Sequence, residues 1–546
     1  MKTVLTAVNA RFVHSSLALR YLKQYNPEFD IRLAEFSLND NIWHMLDSLE
    51  KEKAEVYGFS CYIWNMEPIL KLAEMLKKAV PNTFVFLGGP EAGCRAEEIL
   101  KSYPFIDGVM VGEGEQTLKE LLGRFADGIL PDALPMIPGL MHRRAAFEPR
   151  RELDLASVPL PYTEEDLPLL QGKIVYFETS RGCPFHCAYC LSAAEKTVRA
   201  FPMEYVKKGL SMLFLAGVPL VKLIDRTFNY DNSRAMEILR FILEESRNTC
   251  VHMELEPQIL TPELTALLGS APKDRFQAEI GIQSANEKTL QSVGRSCNLK
   301  KIAENIWNLR QYGNMHIHLD LIAGLPYEDY ASFGRSFDFV YHLQPDMLQL
   351  GFLKVLPGTP VCHMDGIVAQ GFPPYQVIST KWMDPDSMRK LREIEAAVEM
   401  FYNSGAFVKT VKQLVSEDDR PFSVFETLAG VLVQAEKKGK RKRRELYSIL
   451  YEVYGESLRE ALSEDFIRYN QNVPLPAFVH PQREKGFKDK TYQLMKNDVF
   501  CRTYGIVPDL ARLRFERMDG KAYMMDYASG KLWNITMELD AEIDRC

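Results

Sequence analysis

The chain has 546 residues, 46% of them apolar and 25% charged, and a net charge of -7. So long a chain exceeds what one hydrophobic core ordinarily serves, and three domains are expected. The mild acidity excludes a global attraction for nucleic acid or anionic membrane, and no window approaches the about eighteen consecutive apolar residues of a membrane helix.

Residues 1 to 135 alternate β-rich runs (TVLTAV, IRLAEF, VYGFS, TFVFLGG, DGVMVGEGE) with helical segments such as LKLAEMLKKAV. That alternation predicts α/β architecture, a doubly wound, Rossmann-like parallel sheet whose ligands lie beyond the carboxyl ends of the strands. Ser60, Gly88-Gly89-Pro90 and Gly112-Glu113-Gly114 stand at those ends, although glycine also ends strands for purely steric reasons. A proline-rich stretch at 136–170 reads as a connector. Over 171–365 the alternation resumes (KIVYFETS, VKLID, VHMELEP, RFQAEIGIQS, HIHLDLIAGLP, MLQLGFL) and predicts a partial (β/α)6 barrel with its chemistry at the strands' carboxyl ends. Residues 366–546 turn to long helical runs and a tail richer in strand formers, a mostly helical accessory domain. The opening MKTVLTAVNARFVH lacks a signal-peptide core, so a soluble, cytoplasmic protein is expected.

Three of the ten cysteines fall within eight residues, in SRGCPFHCAYC. Cys183, Cys187 and Cys190 put three thiolates in one loop, the ligand type that holds iron-sulfur clusters. Three ligands for a four-iron cluster leave one iron open to a substrate. Structural zinc wants four ligands, no second cysteine pair follows, and His186 is poorly placed to complete a tetrahedron. The seven scattered cysteines, Cys61, Cys94, Cys250, Cys297, Cys362, Cys501 and Cys546, are assigned no role.

With Tyr189 before its third cysteine, this loop resembles the signature of the radical S-adenosylmethionine superfamily. The resemblance implies a 4Fe-4S cluster whose free iron chelates S-adenosylmethionine and splits it to methionine and a 5'-deoxyadenosyl radical. It also implies an external low-potential electron donor of flavodoxin or ferredoxin type. Other segments resemble family elements in order: LIDRTFN with Asp225, ELEPQ with Glu256, EIGIQS with Glu279, Gln283 and Ser284 reaching the adenosyl ligand, and LIAGLP with Gly324 and Leu325 near adenine.

The α/β unit ahead of the barrel resembles the cobalamin-binding branch of that superfamily, through GFSCYIWN, GGPEAG and VMVGEGEQT. The resemblance implies that Ser60, Gly88, Gly89, Pro90, Gly112, Glu113 and Gly114 approach the corrin and its nucleotide tail. No Asp-x-His-x-x-Gly motif supplies a cobalt ligand, and His14 is expected at a domain interface. Methylthiotransferases also carry an α/β domain there, but need three N-terminal cysteines where this chain has Cys61 and Cys94. The implied activity is methyl transfer to an unactivated carbon or phosphorus of a small-molecule or peptide substrate whose identity the sequence does not encode. Ring contraction or cyclisation by the same cofactors is the enzymatic alternative, and an iron-sulfur sensor or electron carrier the non-enzymatic one. The basic run 437–444, seven charges in eight residues, leaves a nucleic-acid contact open but reads better as a solvated face, since no aromatic residue interleaves it.

Overall fold

The computed structural model describes residues 1–194, 197–295, 298–440, 442–479 and 486–541; Arg441 of the basic run, Cys297 and Cys546 lie outside them. Two compact units form, Met1–Asp329 with Gly351–Pro385, and Tyr330–Leu350 with Asp386–Cys546. Among the described residues no helix is long and apolar enough to cross a membrane.

The first unit opens with strands β1 (Lys2–Asn9), β2 (Asp30–Ser37), β3 (Val56–Ser60), β4 (Phe84–Gly88), β5 (Gly108–Met110) and β6 (Leu140–His142), in the sheet order β2-β1-β3-β4-β5-β6. The first five run parallel; β6, from the expected connector, adds an antiparallel edge. Side-chain alternation divides β1 between two cores, Val4 and Val8 packing on one face and Leu5 and Ala7 on the other. Because β2 and β3 flank β1 on opposite sides, the strand order reverses there, beside the carboxyl ends at Asn9 and Ser60 where open α/β sheets take their ligands.

The second sheet takes strands β7 (Ile174–Phe177), β8 (Leu220–Leu223), β9 (Cys250–Glu254), β10 (Phe276–Gln283), β11 (His316–Ala323) and β12 (Met347–Phe352) in sequential order, the six-strand succession expected of a partial barrel. β10 and β11 alternate strictly between buried apolar and half-buried residues along all eight positions. The apolar set suits the helix-covered outside, and the polar set lines the lumen. The β7 edge is met by the loop after β1: the Ile174 N–H donates to the Val13 carbonyl at 2.7 Å and the Ser15 hydroxyl to the Ile174 carbonyl at 3.2 Å. Covering that edge removes unpaired backbone groups and docks the first sheet's domain on the barrel.

The second unit contains the helices Val408–Asp418, Pro421–Lys437, Arg443–Tyr454 and Arg459–Tyr469, and an antiparallel sheet of Leu513–Met518, Lys521–Asp526 and Lys531–Asn534. The helix after β11, Tyr330–His342, groups with this unit because Phe337 packs on Phe422 and Phe425, with ring centroids 5.6 and 5.4 Å apart.

Candidate functional site

The cysteine loop leaves the end of β7 and is closed at its base by a short antiparallel pairing of Ser180–Arg181 with Arg199–Ala200. Its course is set by backbone bonds, Ala188 N–H to the Val293 carbonyl and Val361 N–H to the Ala188 carbonyl, both 2.9 Å. Cys183 and Cys187 are buried and Cys190 is half-buried. Among the described residues no three His, Cys, Asp or Glu side chains converge as they would round a single ion. Each thiolate of a cubane binds a different iron, so a cluster does not require that convergence.

Several residues brace the loop. Asp225, expected in a cofactor or substrate pocket, is fully buried and accepts from the Thr179 N–H (3.0 Å), the Thr179 hydroxyl (2.7 Å) and the Ser180 hydroxyl (2.5 Å). These bonds hold the strand end that launches the loop, so Asp225 positions the cysteine loop. Two residues on, the Thr227 hydroxyl lies 3.5 Å from Cys183 Sγ. Glu256 caps a short turn, accepting from Gln258 and from Arg295 at 3.1 Å. Arg295, which no sequence pattern singled out, also donates to the Gly281 carbonyl (2.5 Å) and reaches Cys187 Sγ (3.6 Å), so one half-buried cation ties the cysteine loop to β10.

At the top of β10 the register shifts between Gly281 and Gln283, and Gln283 takes a φ of +72°. A non-glycine residue there is strained, a cost that surrounding structure sustains mainly at functional positions. Its amide oxygen and the Tyr189 hydroxyl are buried without hydrogen-bond partners among the described residues. Two orphaned polar atoms at the barrel mouth fit a polar ligand beside the cluster loop, as the adenosyl cofactor requires. Ser284 donates to Glu328 at 2.6 Å, joining the β10 end to the turn after β11, where Gly324 takes a φ of +87° and Leu325 is buried. Glu328, buried and missed in the sequence, completes that LIAGLP turn.

Glu279 does not share the mouth. Four residues before Gln283, about 13 Å deeper along the strand, it accepts from His252 Nε2 at 3.2 Å and Lys222 Nζ at 3.3 Å. The His252 bond and the Lys222 charge hold its carboxyl down at about 2. Gln283→Ala is therefore expected to weaken S-adenosylmethionine binding about tenfold, the worth of one hydrogen bond, with iron content unchanged by assay. Equal loss from Glu279→Ala would place the ligand deeper than the mouth.

In the first sheet's domain the glycines divide. Gly89 has a φ of +102°, and a Cβ there would stand 2.6 Å from the Cys61 carbonyl oxygen, so its own backbone already requires glycine. Gly88 borders Met110, Gly114 caps the helix Glu115–Ala126 against Leu22, and Pro90 is the first residue of a short helix, Pro90–Cys94, whose Glu91 and Ala92 are buried. Gly112, with a φ of +82°, has nothing within 4 Å of a notional Cβ, and Ser60, buried, is the last residue of β3. An exposed, open backbone at the carboxyl end of β5 leaves room for a large planar ligand. Glu113, expected on the cofactor, accepts instead from Arg181 and Arg199 at 2.8 Å and from the Leu153 N–H at 2.8 Å. Burial opposes its charge, but those donors prevail and hold its carboxyl below the usual range. Arg181 also pairs with Glu115 and Glu178, both at 2.8 Å, and stacks over Tyr21. His14 Nδ1 meets the Tyr176 hydroxyl at 2.7 Å, the interface position expected of it.

Three family profiles match the chain: a B12 binding domain over 3–122, the radical SAM superfamily over 177–340, and a protein family of unknown function, DUF4080, over 365–529. An uncharacterized methyltransferase of Pyrococcus horikoshii is 25% identical over 63% of this chain and 76% of its own length. The cobalamin-dependent radical SAM methyltransferase TokK of Streptomyces tokunonensis is 27% identical over 56% of this chain, which spans 48% of TokK. Among solved structures, TsrM from Kitasatospora setae with cobalamin and a [4Fe-4S] cluster bound aligns with a TM-score of 0.56 at 16% identity, over 69% of this chain and 79% of that one, a likeness of fold.

Proposed function

We propose that this chain, which carries a B12 binding domain ahead of a radical SAM domain, transfers a methyl group to an unactivated carbon or phosphorus centre of a small-molecule or peptide substrate. When bound, the 4Fe-4S cluster with S-adenosylmethionine supplies a hydrogen-abstracting 5'-deoxyadenosyl radical, and cobalamin supplies a transferable methyl group. An external reductant is required; a flavodoxin- or ferredoxin-type donor is the proposed partner. The segments 1–135, 136–170, 171–365 and 366–546 are the proposed domain division, with the cytoplasm the proposed compartment.

The observation that carries the reading is Arg181. Two residues before the first cluster cysteine, it is bonded to Glu113 in the loop after β5 and to Glu115 at the start of the helix that follows, so the loop expected against the corrin and the loop expected to hold the cluster are joined by one side chain. That junction suits two cofactors acting on one substrate. In this reading Cys183, Cys187 and Cys190 ligate the cluster, and Arg295 places positive charge beside the Cys187 sulfur. Gln283 and Tyr189 orient the adenosyl ligand, and Ser60 and Gly112 border the corrin.

The test is anaerobic reconstitution with iron, sulfide and cobalamin, then assay with S-adenosylmethionine and a low-potential reductant. Formation of both 5'-deoxyadenosine and S-adenosylhomocysteine is expected. Gly112→Leu serves better than a Gly89 variant, because open space surrounds it and only its φ is strained, at about 1–2 kcal/mol. It should lose cobalamin and S-adenosylhomocysteine formation while still yielding 5'-deoxyadenosine. Wild-type protein that binds no cobalamin would overturn the methyl-transfer reading.

A further inference from the structure

The register of the barrel stacks its inward side chains in rows. Lys222 is partnered by Tyr176 and His252, His252 by Gln277, and Gln277 by His316. One row nearer the cysteine loop come Glu254, Glu279 and His318, and above them Gly281 faces Asp320. The rows share one face, since His252 and His316 both set their rings edge-on to His318, at 6.1 and 4.7 Å. Three carboxyls therefore meet in this lumen with one lysine, and Glu279 takes that lysine.

Glu254 and Asp320 are left over. Among the described residues neither forms an ion pair, and Asp320 Oδ1 is buried without a hydrogen-bond partner. The lumen is nonetheless reachable, because Lys222 and Glu279 keep 32% and 25% of their side-chain exposure and Gly281 opposite Asp320 fills no space. These carboxyls do not gather closely enough to hold a metal ion. An anionic ligand would face three acidic side chains, and a neutral one would gain nothing from the charge that the two unpaired carboxyls can take up. What complements them is an organic cation that donates several hydrogen bonds.

We propose that the barrel lumen binds a protonated amine of the substrate, with Asp320 and Glu254 receiving the ammonium. This names a substrate class for the methyl-transfer reading and rests on it for the word substrate, but not for the binding. Gly281, the partner of Asp320, lies two residues below Gln283, about 7 Å along the strand. An amine held there sets neighbouring carbon atoms just beneath the barrel mouth.

The protonation of the lumen supports the geometry. Burial, with Glu279 and Glu254 opposing its charge and Lys222 and Arg295 favouring it, pushes the Asp320 carboxyl up to about 8. Burial likewise lifts Glu254 to about 7, with Arg226 and Lys222 favouring its charge and Glu279 and Asp225 opposing it. His318, on the same strand as Asp320, is held down to about 4 by burial and by its histidine neighbours, and so adds no charge. Near neutral pH an arriving ammonium stabilises the ionised carboxyls, so binding releases protons to solvent.

The experiment uses full-length reconstituted protein at pH 7.5 and three probes of equal length, hexylammonium, hexanol and hexanoate. Calorimetry in two buffers of different ionisation enthalpy reads both affinity and proton release. Hexylammonium is expected to bind about tenfold or more tightly than hexanol, as charge-assisted hydrogen bonds allow, with proton release that hexanol does not produce and no binding of hexanoate. Asp320→Asn and Glu254→Gln, both near-isosteric, should each weaken hexylammonium about tenfold and reduce the released protons. Iron content confirms that each variant is folded. Equal affinity for hexylammonium and hexanol, no binding of hexylammonium by the wild type, or binding untouched in both variants would overturn the proposal. S-adenosylmethionine and cobalamin are titrated into the same preparation, so their failure to bind removes the methyl-transfer reading separately, while the amine site is judged on hexylammonium alone.

Discussion

Replacing Cys183, Cys187 and Cys190 together by alanine is expected to abolish the iron-sulfur absorbance and all 5'-deoxyadenosine formation while leaving a folded chain. The loss is total because no other thiol stands in this loop and the remaining cysteines are scattered along the sequence. The fold survives because the loop's path does not depend on the sulfurs. Ala188 is anchored on both sides by backbone bonds to Val293 and Val361, and Asp225 fixes Thr179 and Ser180 at the loop's origin. Truncating two buried thiols removes little apolar volume, so the thermal transition should fall by no more than a few degrees, at about 1 kcal/mol per small cavity. Iron analysis and circular dichroism on one sample check both halves. About four irons per chain retained in the triple variant would remove the assignment of these residues as cluster ligands.

Apart from β6, which lies in the expected connector, the strands of both sheets were legible because each is an apolar or alternating run bounded by turn residues, and the cysteine loop because its three cysteines are local in sequence. What could not be read is what the chain brings together over distance. Arg295 and Cys187 are 108 residues apart, and Arg181 meets Glu113 across 68; a lone arginine after a glycine carries no mark of such a partner. Alternation located the face that Glu279 shares with Gln283 but not its depth, so a motif that looked like one contact surface spans two levels of the lumen. Gly89 resembled a ligand-facing glycine, and the Cys61 carbonyl behind it gives an internal reason for the same residue. A motif marks a carboxylate such as Asp225 or Glu113 without showing the scaffold groups, Thr179 and Arg199, that it also holds.

Arg181→Met should be among the most costly single substitutions in the first unit, destabilising it by about 3–5 kcal/mol, the range for removing one partner of a buried ion-pair group. Arg181 keeps only 12% of its side-chain exposure while bonding Glu113, Glu115 and Glu178, whose side chains are 17%, 6% and 11% exposed. Methionine keeps much of the volume under Tyr21 and Phe201 but strands three carboxyls with Arg199 as their nearest cation, bonded to Glu113. Lysine should recover part of the charge and little of the geometry, because one ammonium cannot reproduce the forked contacts of a guanidinium.

The deficit should also depend on pH, with a sign that follows from the two ends of the network. Burial lifts the Glu178 carboxyl to about 7 even with Arg181 beside it. A carboxyl raised in the folded state costs nothing below its unfolded value, about 4.5, and its full penalty appears once the pH passes the folded value. Without Arg181 the folded value moves higher and that penalty grows. Glu113 works from the other side, since burial is outweighed by its arginine and backbone donors and its carboxyl lies below the usual range. The stability it contributes is present above the unfolded value and lost on acidification, so the share owed to Arg181 also matters most at higher pH. Both terms make the gap between wild type and Arg181→Met widen from pH 5 to pH 8. Thermal unfolding at those two values, followed through the cobalamin or cluster absorbance and through helix content, reads the gap directly. A gap that is constant with pH, or smaller than about 1 kcal/mol, the worth of an exposed pair, would mean that solvent and not Arg181 balances these carboxylates.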